Sequence, residues 1–196
     1  TDVEFNEYFG FTDKEVQDIL SDYELQDHYD AVKEWYDGYR FGNSEIYCPW
    51  DVLTYCKKLR ADPNAIPENY WLNTSGNNMV RRFIDKADGK TRNDIERLIA
   101  GEEIRKEVHQ ELTYSELDST IENLWSVLFT TGYLTSRGRA EGELLRLVIP
   151  NREIRNLFIR QIREWFQDTV KKDAPKLDRF CNAFPAGNAS LIEDLF

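Results

Sequence analysis

The 196-residue chain carries 36 acidic and 25 basic side chains, a formal net charge of −11, with 41% hydrophobic and 13% aromatic residues. That balance excludes nucleic-acid binding over the whole surface, which needs Lys and Arg to neutralise phosphates, and it supplies enough apolar side chain for a sizeable core. Cys48, Cys56 and Cys181 lack CxxC spacing and have only His28 and His109 to join them, which argues against a zinc site and for reduced thiols.

No apolar run is long enough to span a membrane and no signal peptide is evident, so the expectation is a soluble, cytoplasmic chain. The only Met is Met79, which implies that Thr1 is not a native translation start. Charge is unevenly placed. Residues 1–37 hold twelve acids against Lys14 and Lys33, whereas residues 137–163 hold seven arginines against Glu141, Glu143 and Glu153.

In chain order, Phe11-Thr-Asp-Lys-Glu15-Val16 reads as a helix start, with Thr12 as cap, Glu15 reaching back to it and Phe11 stapling against Val16. Tyr29, Val32, Trp35 and Tyr36 recur at helical spacing up to Gly38, and residues 39–47 read as a loop. Pro49 suits the first turn of a helix that Asp62-Pro63 ends. Asn73-Thr74-Ser75-Gly76 offers caps for a helix carrying Met79, Val80, Phe83 and Ile84, and a further helix is expected from about Asn93 to Ala100, stopped by Gly101.

Beyond Gly101 the pattern changes. Ile104, Lys106, Val108 and Gln110 alternate as a short edge strand would, and Ile121, Leu124, Trp125, Leu128 and Phe129 form an apolar helical stripe ending at Gly132. Residues 133–137 and 143–149 read as two strands joined by the turn 138–142, after which Pro150-Asn151 caps an amphipathic helix through Ile154, Leu157, Phe158, Ile162 and Trp165. The expected fold is mainly α with a small β element: a helical region over 1–101, a winged-helix-like region with a three-stranded sheet over 102–166, and a tail, 167–196, containing Pro175, Pro185 and Gly187.

Catalytic motifs fail on inspection. Gly89-Lys90-Thr91 resembles the end of a phosphate-binding loop, but the required earlier glycine falls at Ile84 and an apolar helix precedes it, so it reads as a polar loop between helices. Glu102, Glu103 and Lys106 lack a partner strand that would make them a nuclease cluster, and neither His28 nor His109 sits in a nucleophile motif. Duplex reading by the helix before the wing is disfavoured because residues 107–136 contain no Lys or Arg; Arg152, Arg155, Arg160 and Arg163 instead follow the wing.

Five segments carry a family resemblance: Trp35-Tyr-Asp-Gly-Tyr-Arg-Phe-Gly42, Ile46-Tyr-Cys-Pro-Trp50, Tyr70-Trp-Leu-Asn-Thr-Ser75, Leu124 to Leu134 ending Gly-Tyr-Leu, and Ile149-Pro-Asn-Arg-Glu-Ile154. In this order they resemble the bacterial AAA-ATPase-like proteins whose C-terminal part is similar to a PD-(D/E)XK nuclease. The resemblance implies an upstream P-loop domain, a downstream nuclease-like domain, and ATP and Mg for the full-length protein. This chain would be the non-catalytic helical lid and winged-helix-like portion, with no cofactor of its own. Cys48 and Asp51 depart from the Asn and Ser expected around the Pro-Trp pair.

A lid closes over a nucleotide with aromatic surface for the base and a cation for the phosphates. Tyr36, Asp37, Tyr39, Arg40, Pro49 and Trp50 are the candidate nucleotide-binding residues. Two alternatives stand beside this. Trp35, Tyr36, Tyr39, Phe41, Tyr47 and Trp50 could be the aromatic core of two packed helices, with Asp37 and Asn43 as turn residues. The arginines of the closing helix could instead dock a protein partner.

Overall fold

The computed structural model describes residues 9–42, 44–70, 78–109, 111, 120–164 and 168. The helix caps at 73–76, the tail apart from Asp168, Trp165 and Cys181 lie outside the described residues. The fold is mainly α with small antiparallel sheets, as the periodicity implies.

Helix α1 spans Asp13–Asp22 and opens with the expected capping box: Thr12 Oγ1 accepts from Glu15 N at 3.3 Å, while Thr12 N donates to Glu15 Oε2 at 2.8 Å. Its buried stripe is Val16 and Leu20, one turn apart. A 3-10 turn, Gln26–His28, leads into α2, Tyr29–Tyr36. Helix α3, Pro49–Ala61, has Pro in its first turn and ends at Asp62.

Residues 39–47 are not a plain loop. Strands β1, Tyr39–Phe41, and β2, Ser44–Ile46, form an antiparallel hairpin in the register Tyr39↔Ile46, Arg40↔Glu45 and Phe41↔Ser44. A two-residue connection beginning at Gly42, whose φ is 58°, reverses the chain. Backbone bonds between Phe11 and Tyr47, at 3.1 and 2.8 Å, tie the hairpin to the start of α1.

Helix α4, Asn78–Lys86, is followed by α5, Gly89–Ile99. The second of these begins earlier than the pattern suggests. Asp88 accepts from Thr91 N at 2.7 Å, so Gly89-Lys90-Thr91 is the first turn of a helix and not a loop. Strand β3, Ile104–Lys106, helix α6, Ile121–Thr130, strands β4, Thr135–Arg139, and β5, Leu145–Val148, and a closing helix α7 over 152–164 complete the chain described. The sheet order β3-β5-β4 places β3 on an edge, as expected.

Buried side chains form two clusters. One joins α1, α2 and α3 through Val16, Leu20, Val32, Tyr36, Val52, Tyr55 and Leu59. The other joins α4 and α5 to the sheet, α6 and α7, with Phe83 edge-on to Trp125 at 4.5 Å. The first cluster draws on residues from 16 to 70 and the second on residues from 80 to 158, where Val80, Phe83 and Ile84 of α4 share a cluster with Trp125.

Candidate functional site

The sequence candidates lie on β1 and the two helices beside it, and the structure separates them by exposure. Tyr36 is fully buried at the end of α2; its hydroxyl donates to the Glu68 carbonyl and accepts from Glu68 N, both at 3.1 Å. Tyr39 faces Cys48, Asp51, Asn151 and Glu153, and burial pushes its phenol well above the ordinary tyrosine range. Asp37 is half-buried, with its carboxyl raised by desolvation against the pull of the Gly38 N–H. Tyr36 lies wholly in the interior, whereas Asp37 and Tyr39 are half-buried.

Arg40 and Trp50 are the exposed members. Trp50, 60% exposed, occupies the first turn of α3 beside half-buried Pro49. Arg40 donates from its backbone N to Thr135 Oγ1 at 2.9 Å and from Nε to the Gly42 carbonyl at 3.1 Å. Its side chain borders a groove of about 250 Å³ whose walls come from Tyr39 and Phe41 on one side and Phe129, Thr130, Leu134 and Thr135 on the other. Trp50 is not among the groove's lining residues.

That groove follows the seam between the two cores, and four further contacts define the seam. Gly38 has φ 101°, and a Cβ there would lie 2.0 Å from the Pro150 carbonyl oxygen, so only glycine permits this approach. Arg152 Nη1 donates to Glu34 Oε1 at 2.8 Å, and its guanidinium lies 5.1 Å over Trp35. The acidic N-terminal region and the arginine-rich closing helix thus meet inside one chain. Arg155 Nε donates to the Ile99 carbonyl at 2.6 Å and Arg160 pairs with Glu164, so both are engaged within the chain.

The fourth contact was hidden from pattern reading. Asp51 of α3 is 2% exposed and Glu153 of α7 is 1% exposed, and Glu153 is one of the groups that act on the Asp51 carboxyl. Burial raises Asp51, opposed by Cys48 and Glu153. Burial also pushes the Cys48 thiol up to about 12, which leaves it protonated and a poor nucleophile at neutral pH. The available signal was polar residues, Asp51 and Glu153, standing directly beside apolar Val52 and Ile154 in first helical turns.

Among the described residues, no group of three or more His, Cys, Asp and Glu side chains is placed to hold a metal ion, and no helix is long and apolar enough to cross a membrane. Glu102 pairs with Arg97 at 2.9 Å and Lys106 with Asp94 at 2.7 Å, so this charged run is spent on neighbouring elements. No protein-family model, curated protein or solved structure matches this sequence.

Proposed function

We propose that this chain is the lid and interdomain portion of an AAA-ATPase-like protein, without independent catalysis. The observation that carries the reading is the position of the β1–β2 hairpin. It presents Arg40 at the surface, while the same strand is bonded to Thr135 of β4 and holds half-buried Tyr39 beside residues of α3 and α7. A ligand that pulled on Arg40 would pull on both cores.

Of the residues first named, Arg40 and Trp50 are the ones whose exposed side chains fit contact with a nucleotide: a guanidinium for phosphates and an indole face for the base. Pro49 fixes the helix turn that displays Trp50. Tyr36, Asp37 and Tyr39 hold the loop from behind. ATP with Mg would be bound chiefly by a P-loop in an adjoining domain, and a nuclease-like domain would be the further partner.

The test is ATP affinity in a polypeptide that joins this chain to its P-loop domain. Arg40→Ala and Trp50→Ala are each expected to weaken binding about tenfold, equal to ~1.4 kcal/mol. Unchanged affinity in both variants would remove the lid reading. A protein-docking role for the closing helix is the second reading, favoured only by Arg163, which is exposed; reversing Arg155 or Arg160 would also disturb the internal bonds those residues make.

A further inference from the structure

The outer face of the three-stranded sheet carries a row of arginines. Ile104 of β3 and Leu147 of β5 stand opposite each other and are buried in the second core. Side chains alternate along a strand, so Arg105 and Arg146, also opposite each other, project from the other face. On β4, Ser136 pairs with Leu147 and Arg139 with Leu145, which sets Arg137 and Gly138 together against Arg146 in a bulge. Neighbouring strands lie about 4.8 Å apart, so Arg105, Arg146 and Arg137 span roughly 10 Å across the sheet.

Internal contacts do not neutralise the row. Arg105 and Arg137 are exposed. Arg105 makes no hydrogen bond or ion pair among the described residues, and Arg137 contributes its backbone carbonyl, which accepts from Arg146 Nη2 at 2.6 Å. Arg146 Nε is shut off from water without a partner, and Glu103 Oε2 stands 3.9 Å from Arg146 Nη1. Like charges directly opposite on adjacent strands destabilise a sheet, so the row is kept against the fold's own stability. Arg105 also lines a groove of about 380 Å³ with Lys90, Asp94, Arg97, Glu103 and Lys106. Lys106 engages Asp94 there at 2.7 Å, and Lys90 and Arg105 extend the positive surface beyond β3.

The row is bounded along the strands in both directions. Toward one end, β1 is bonded to the sheet through Arg40 N and Thr135 Oγ1; toward the other, Glu107, Glu111 and Glu143 line a groove of about 390 Å³. Glu143 is three residues from Arg146, at most ~10 Å along the chain. A nucleic-acid duplex carries one negative charge for about every 1.7 Å of its axis and would bring phosphates against these carboxylates. A peptide can place its acids only where the arginines stand. Alternate residues of an extended segment lie about 6.6 to 6.8 Å apart on one face, so two carboxylates fit within the row, and guanidinium forks bind carboxylates through paired hydrogen bonds. We propose that Arg105, Arg146 and Arg137 dock an extended acidic segment of a partner protein through at least two of its Asp or Glu carboxylates. This docking surface lies beyond the lid reading and does not depend on it.

A fluorescein-labelled octaglutamate peptide serves as the probe, titrated with the 196-residue chain at low ionic strength and followed by fluorescence anisotropy. Saturable binding is expected, weakened about fivefold by Arg105→Thr and about fivefold by Arg137→Ala, each removing one ion pair. Absence of binding, or affinity unchanged in both variants, would overturn the proposal. Tighter binding of a labelled oligonucleotide that the same variants abolish would also overturn it, because the row would then serve phosphates. Stability gives an independent check. Arg105→Thr removes a charge that faces Arg146 and should leave the urea midpoint unchanged or raise it. A lower midpoint would assign Arg105 to the fold and overturn the docking role.

Discussion

Asp13 shows how single residues hold the first core together. Its Oδ1 accepts from Tyr47 at 2.6 Å and from Tyr29 at 2.7 Å, with Lys33 at 3.5 Å. These contacts, the Tyr47 bond foremost, hold the carboxyl below its usual range. A depressed carboxyl contributes stability above its unfolded value and loses it as pH falls through the folded one. Asp13→Asn should therefore lose ~1 kcal/mol at neutral pH, after discounting for solvent screening of a half-exposed group. It should also unfold less steeply than wild type below the ordinary carboxylate range, as acid titration followed by circular dichroism would report. Cys48 gives a second check. With its thiol pushed up to about 12, native Cys48 in a Cys181→Ser background should react with a disulfide reagent on the order of a thousandfold more slowly than a free thiol. Labelling at the free-thiol rate would contradict its burial.

At the scale of elements, helix signals were the most legible. The Thr12 capping box, Pro49 in a first turn and the stripe around Trp125 each lie where local chemistry places them. Two elements escaped for physical reasons. Three-residue strands such as β1 and β2 are too short for alternation to stand out, and only the Gly42 connection hinted at a hairpin. The start of α5 was masked because Gly89 and the charged Lys90 resemble a loop, whereas Asp88 supplies the cap. Trp125 anchors the second core, 1% exposed, edge-on to Phe83 and beneath the Lys106 ammonium at 4.8 Å. Trp125→Ala should cost ~3–5 kcal/mol, seen as a lower urea midpoint. Gly38→Ala is expected to cost well over ~1 kcal/mol, since both its positive φ and the Pro150 oxygen oppose a side chain.

In the whole molecule, the seam decides how the two cores behave. The Arg152–Glu34 pair is about half-exposed on each side and contributes at most ~1 kcal/mol, while the close approach of Gly38 to Pro150 leaves no room for a side chain. Of the candidate site, residue types were legible and their exposure was not. Tyr36 and Trp50 belong to one aromatic run in sequence, yet tertiary packing buries the first and leaves the second in solvent. The approach of Glu153 to Asp51 spans two distant segments, which no local pattern encodes. On the proposed reading, this chain contributes to a nucleotide site without containing one. Thermal unfolding with and without saturating Mg-ATP tests it most directly, because a ligand at about a hundred times its Kd adds ~2.7 kcal/mol of stability. An unchanged midpoint is expected; a saturable rise would contradict the claim by revealing a nucleotide site within these 196 residues.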